Sequence, residues 1–287
     1  MKIGINSWTL PTNLTIEETF KAAKEAGFET IELNMAEEVK HDTIVSELGL
    51  EDSPHVTLNM KEADFAAIKR VSDHYQLPIS SVATALHWKY PLNSPDPTIR
   101  EQGKEVARRM IDACQIFGGD TVLIVPGVVT AENDYETCYR LSQEAFRELA
   151  PYAEKKGIVI GVENVWNKFL YSPLEMRQFI DEIAHPFIRI YFDAGNVLQF
   201  GFPDQWVKIL GKRIVKVHVK DFSTNIGNIT GFTPLLAGDL DWPKLVSALK
   251  EVGYDGPLTA ELSPYREAPL QLAKDTMKAI DIIINLA

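Results

Sequence analysis

Four ionisable side chains each close an otherwise apolar run. Glu163 ends VIGVE, Asp193 follows IRIYF, His218 stands in IVKVHV, and Glu261 follows PLTA. Such groups are costly to bury unless they are paired or coordinate a metal. If the four runs are neighbouring strands, three carboxylates and one imidazole converge at one end of them. Three carboxylates alone would repel and raise one another's pKa. A divalent cation between them removes that conflict and gives His218 a reason to be there, as a ligand. Three oxygen donors and one nitrogen suit Mn²⁺, Mg²⁺, Co²⁺ or Zn²⁺, and Mn²⁺ is preferred because the set is oxygen-rich.

The elements that must position these residues are legible as a repeat. Eight short apolar segments recur at 2–8, 30–35, 79–86, 121–127, 159–164, 188–196, 214–222 and 257–264. Most are continuously apolar, the pattern of parallel strands covered on both faces. Amphipathic stretches at 15–27, 98–119 and 135–157 lie between them, and all three close on glycine, a usual helix stop. Eight strand-then-helix units predict an α/β protein, a (β/α)₈ TIM barrel occupying residues 1–287 as a single domain. No glycine-rich phosphate loop follows the first strand, as a dinucleotide-binding sheet would require. The segment EDSPHVTLNM (51–60) reads as a surface insertion. In a barrel, polar residues at the C-terminal strand ends meet at one mouth.

Charge and composition exclude other classes. The 287-residue chain carries a net charge of −11, and its 29 basic residues form no run, which argues against a nucleic-acid partner. No apolar stretch is long enough to span a membrane. The opening MKIGINSW runs directly into a strand pattern and does not read as a secretory leader. Cys114 and Cys138 fall in helical patterns and suggest no disulfide framework, so a cytoplasmic location is expected.

GVEN, FDAGN, VHVKD and TAEL, in this order, resemble the xylose isomerase-like TIM-barrel superfamily of sugar and sugar-phosphate isomerases and epimerases. The resemblance spans nearly the whole chain and is most specific over residues 158–266. The ketose 3-epimerases look nearest, through the His-x-Lys-Asp pattern and the following GDLDW (238–242). The resemblance implies one divalent metal bound by Glu163, Asp193, His218 and Glu261. It also implies that Glu163 and Glu261 are the acid/base pair and that a homodimer or homotetramer forms. The expected activity is therefore isomerisation or epimerisation of a ketose or ketose phosphate through a metal-stabilised enediolate. Two departures stand out: Phe169 replaces a further glutamate of the tagatose/psicose-type epimerases, and Asn196 replaces a strand-6 histidine. The related multi-metal nucleases need more histidines than the six present here.

Around this core lie further candidates. Lys220, two residues after His218, faces the same side of its strand. It either contacts a substrate oxygen or phosphate or pairs with a rim carboxylate. His87 and Trp88 follow the third strand and either line the mouth for substrate or pack the loop, and Trp8 and Glu32 are similar cases. Asn164, Asn196 and Glu32 are placed to orient ligands, as metal sites usually require, with Asn196 also within reach of substrate. Arg266 either binds a phosphate or forms a surface ion pair. Two rival readings use the same residues. One is a lyase resembling inosose dehydratases, or a β-elimination on an oxidised sugar derivative. The other is a non-catalytic sugar-binding barrel with the metal as a staple.

Overall fold

A segment that is apolar on every side chain must be covered on both faces, and in the computed structural model these segments are. The structure describes residues 1–37 and 55–286. Strands β1 (Lys2–Asn6), β2 (Thr30–Ala36), β4 (Ile79–Ala83), β5 (Thr121–Ile124), β6 (Val159–Glu163), β7 (Ile188–Asp193), β8 (Ile214–Val219) and β11 (Pro257–Ala260) form the barrel wall. They follow the eight segments expected from the sequence. Every wall pairing is parallel, and β1 pairs with both β11 and β2, which closes the ring as a (β/α)₈ barrel.

The helices outside the wall form where amphipathic spacing and end signals agree. In the helix Pro97–Phe117, Val106, Met110, Cys114 and Phe117 recur at helical spacing and are buried. Each such side chain contributes on the order of 1.5–3 kcal/mol by leaving water. Asp96 caps that helix by accepting from Thr98 N at 2.7 Å, and a proline occupies its first turn, where no amide hydrogen bond is lost. The helix Ile16–Ala26 starts with a capping box between Thr15 and Glu18. No helix among the described residues is long and apolar enough to cross a membrane. Cys114 and Cys138 are buried free thiols.

One expectation needs correction. Residues 51–54 lie outside the described residues, but the rest of the 51–60 segment is no surface insertion. Val56–Thr57 form a short strand, β3, parallel to the end of β2, and both residues are buried. His55 Nε2 also lies 3.1 Å from Thr19 Oγ1, tying the segment to the first helix.

The mouth is covered in part by the chain between β8 and the helix Trp242–Glu251. It contains a small antiparallel pair, β9 (Asp221–Phe222) and β10 (Phe232–Thr233). Asp221 anchors it: its fully buried carboxylate accepts from Phe222 N at 2.9 Å, Leu240 N at 3.1 Å and the Trp242 indole at 3.1 Å. A Cβ on Gly238 would fall 2.3 Å from Asp221 Oδ1, so only glycine lets the returning chain pass. The Asp221 and GDLDW segments are thus the two halves of one joint. Asp221→Ala strands three buried donors and is expected to cost about 3 kcal/mol. A urea unfolding midpoint unchanged from wild type would show that the joint does not hold the segment.

Candidate active site

The four residues that closed the apolar runs are brought together. Glu163, Asp193, His218 and Glu261 each offer one ligand atom, and these atoms all lie within 4.8 Å of one another. They come from β6, β7 and β8 and from the residue after β11, which are consecutive in the wall. Register does the placing: Asp193 pairs with His218, and His218 with Thr259, two residues before Glu261. His218 is the centre. Its Nδ1 lies 3.6 Å from Glu163 Oε1, 3.7 Å from Glu261 Oε2 and 3.9 Å from Asp193 Oδ2.

The other ring nitrogen fixes the imidazole. His218 Nε2 lies 2.6 Å from Glu32 Oε1, and both side chains are fully buried. Glu32 also accepts from Asn6 Nδ2 at 2.6 Å, Ser81 Oγ at 2.6 Å and Tyr191 OH at 2.7 Å. Burial opposes ionisation of Glu32, but His218, Ser81 and Tyr191 outweigh it and hold its pKa below the ordinary carboxylate value. With Nε2 turned to a carboxylate, Nδ1 is the free nitrogen. It has no hydrogen-bond partner, although it is buried. A buried imidazole nitrogen with no hydrogen bond, facing three carboxylate oxygens, has the chemistry of a ligand atom. The donor set fits one divalent ion.

The carboxylates are unlike one another. Burial pushes Glu163 up to about 7; the neighbouring His218 opposes this and the Glu261 charge adds to it. Burial likewise raises Asp193, against the pull of Lys220. Burial opposes ionisation of Glu261 too, but Lys220 and His218 prevail and its pKa is lowered. Lys220 Nζ is 2.8 Å from Asp193 Oδ2 and also bonds Glu261 Oε2. Of its two expected uses, the side chain is therefore seen in the pairing one.

Asn164 and Asn196 hold Asp193 in place. Asn164 exchanges two hydrogen bonds with the Asp193 backbone, at 2.8 and 2.9 Å, and Asn196 N donates to Asp193 Oδ1 at 2.8 Å. The Asn196 side chain donates to Asn164 O at 3.0 Å, yet the residue still borders the cavity at the mouth.

That cavity has a volume of about 620 Å³ and exposes more apolar than polar surface; Trp8, Trp88, Trp166 and Phe232 border it beside Glu163 and Glu261. Two expected substrate contacts are displaced from it. His87 is fully buried, with Nε2 3.2 Å from Gly103 O, and burial lowers its pKa to about 4; the short helix Leu86–Lys89 turns it into the packing against the next helix. Arg266 is exposed in the loop after β11 and does not border the cavity. Ser81, Tyr191 and Asn6, which set Glu32, were not expected. Tyr191 could have been found, because it lies two residues before Asp193 and so shares its inward face.

Comparison with known proteins follows the same lines. Residues 20–283 match the family model for the xylose isomerase-like TIM barrel. A Haemophilus influenzae protein named, provisionally, as an L-ribulose-5-phosphate 3-epimerase is 26% identical over 94% of this chain and 91% of its own. An Escherichia coli L-ribulose-5-phosphate 3-epimerase is 23% identical over 97% and 92%. The solved structure of an L-ribulose 3-epimerase has the same fold, with a TM-score of 0.76 at 18% identity over 99% and 94% of the two chains.

If Nδ1 is the ligand atom, loosening its opposite nitrogen must loosen the ion. Glu32→Gln is expected to weaken Mn²⁺ binding about 10- to 100-fold. Titration calorimetry on chelator-stripped protein checks this, and wild-type affinity in the variant would deny His218 the role.

Proposed function

The chain belongs to the xylose isomerase-like TIM barrel family, and from that premise we propose that it is a divalent-metal-dependent epimerase or isomerase of a ketose or ketose phosphate. One observation carries the reading. Glu163 and Glu261 come from the two outer strands of a four-strand set, and their carboxylates meet at one buried nitrogen that has no hydrogen bond. The names of the curated relatives support the substrate class.

Glu163, Asp193, His218 and Glu261 would hold the ion, with Mn²⁺ preferred for its taste in oxygen donors. When bound, it supplies Lewis-acid stabilisation of the negative charge that develops on a substrate carbonyl oxygen. The protein's own residues do the rest. One glutamate takes the proton from the carbon beside the carbonyl, giving an enediolate. The other returns a proton to the opposite face, which inverts that carbon. Acid–base groups of this kind contribute about 10²- to 10⁴-fold. Asn164, Asn196 and Glu32 fix the ligands during transfer, and the tryptophans bordering the cavity offer flat apolar surfaces to the carbon skeleton of a sugar. No feature of the site or of the named relatives favours elimination of water. A chain with two buried free thiols suits the reducing cytoplasm, and the reading includes assembly as a dimer or tetramer.

Glu163→Gln and Glu261→Gln should each abolish solvent deuterium uptake into a ketose or ketose 5-phosphate while leaving the circular dichroism spectrum unchanged. Mass spectrometry of a substrate panel in D₂O reads the result. Normal uptake in either variant would remove that residue from the acid/base pair.

A further inference from the structure

Lys220 has a socket of its own. A lysine that served only to reach outward for a phosphate would need a free stem, and this one is confined. Its ammonium bridges Asp193 Oδ2, at 2.8 Å, and Glu261 Oε2. The Phe232 ring covers it, with Nζ 5.2 Å from the ring centroid. On the third side lies Gly195, where a Cβ would fall 2.5 Å from Lys220 Cγ and 2.6 Å from its carbonyl oxygen. The side chain is only 12% exposed. Burying an ammonium costs several kcal/mol unless its partners are well placed. Here three separate segments supply the placement: FDAGN, the β9–β10 pair and the residue after β11.

We propose that Lys220 is a second, permanent cation of the active site and a positioning residue for Glu261. It shares Asp193 and Glu261 with the divalent ion. It makes no ion pair with Glu163, which turns to His218 alone among these partners. With the ion bound, the charges of three carboxylates are balanced by the ion and the lysine together. In its absence the lysine keeps two of the ligands from repelling each other. The ammonium also fixes the rotation of the Glu261 carboxylate, so the oxygen that transfers a proton is held where the substrate carbon must lie. The role rests on the proposed reaction for its second half only; its effect on the ion does not depend on which substrate is turned over.

The two halves are therefore measured apart. On chelator-stripped protein, titration calorimetry with Mn²⁺ alone should show Lys220→Met binding the ion about tenfold tighter or more, because a neighbouring positive charge has been removed. Unchanged or weaker affinity would overturn the second cation. In D₂O with the turned-over ketose, the same variant should lose about 10²-fold in kcat with little change in KM. Lys220→Arg should recover part of kcat. An unchanged kcat, or a loss confined to KM, would overturn the positioning role and make the lysine a substrate anchor. If wild-type protein exchanges no ketose, the proposed reaction fails while the Mn²⁺ titration still decides the first half. Should Lys220→Met not fold, Lys220→Gln is read in the same two ways.

Discussion

Glu32 Oε1 lies 2.6 Å from His218 Nε2 in a part of the barrel sealed from water. A carboxylate in such a place is expensive, and it persists because it accepts from three further side chains on three other strands or their neighbours. What this arrangement secures is direction. The imidazole cannot turn, so one nitrogen is committed to the barrel interior and the other to the mouth. The 3.6 to 3.9 Å distances to Glu163, Glu261 and Asp193 are measured from that second nitrogen. The polar layer of Asn6, Glu32, Ser81 and Tyr191 is therefore as much a part of the site as the four residues at the mouth.

Charge explains why the rest of the mouth looks as it does. Three acidic groups converge on one imidazole, and the resulting repulsion is met in two ways. Glu163 rises toward neutral pH because it is buried and the Glu261 charge adds to the effect, against the pull of His218. Glu261 and Asp193 share Lys220. The backbone turn at FDAGN serves both ends of the problem: Asn196 N caps Asp193, and Gly195 makes room for the lysine. A motif of five residues thus positions Asp193, its hydrogen-bond donor and the path of a neighbouring cation.

The wall of the barrel and the cluster of Glu163, Asp193, His218 and Glu261 were legible in the sequence for one reason. Parallel strands buried on both faces leave long apolar runs, and a charge that ends such a run stands out. Glu32 was visible for the same reason, since nothing else in TIELNM is charged. Tyr191 and Ser81 were hidden because aromatic and small residues are unremarkable in a strand, and only their inward register gives them a role. His87 and Arg266, each left with two readings, are a different case. Both lie in loops beyond strand ends, where sequence position says nothing about which way a side chain turns; one was drawn into packing against Gly103 and the other left in water. The 51–60 segment misled because two buried residues, Val56 and Thr57, are too few to make a recognisable strand pattern.

Closure of the barrel has a consequence for how the protein comes into being. Asn6 and Glu32 stand near the amino end, Glu261 near the carboxyl end, and Thr9 Oγ1 bonds both Ala260 O and Leu262 N across that seam. A ribosome must therefore deliver the stretch from Thr9 to Leu262 before this seam can close. Until then Glu261 has not joined Glu163, Asp193 and His218 at the mouth.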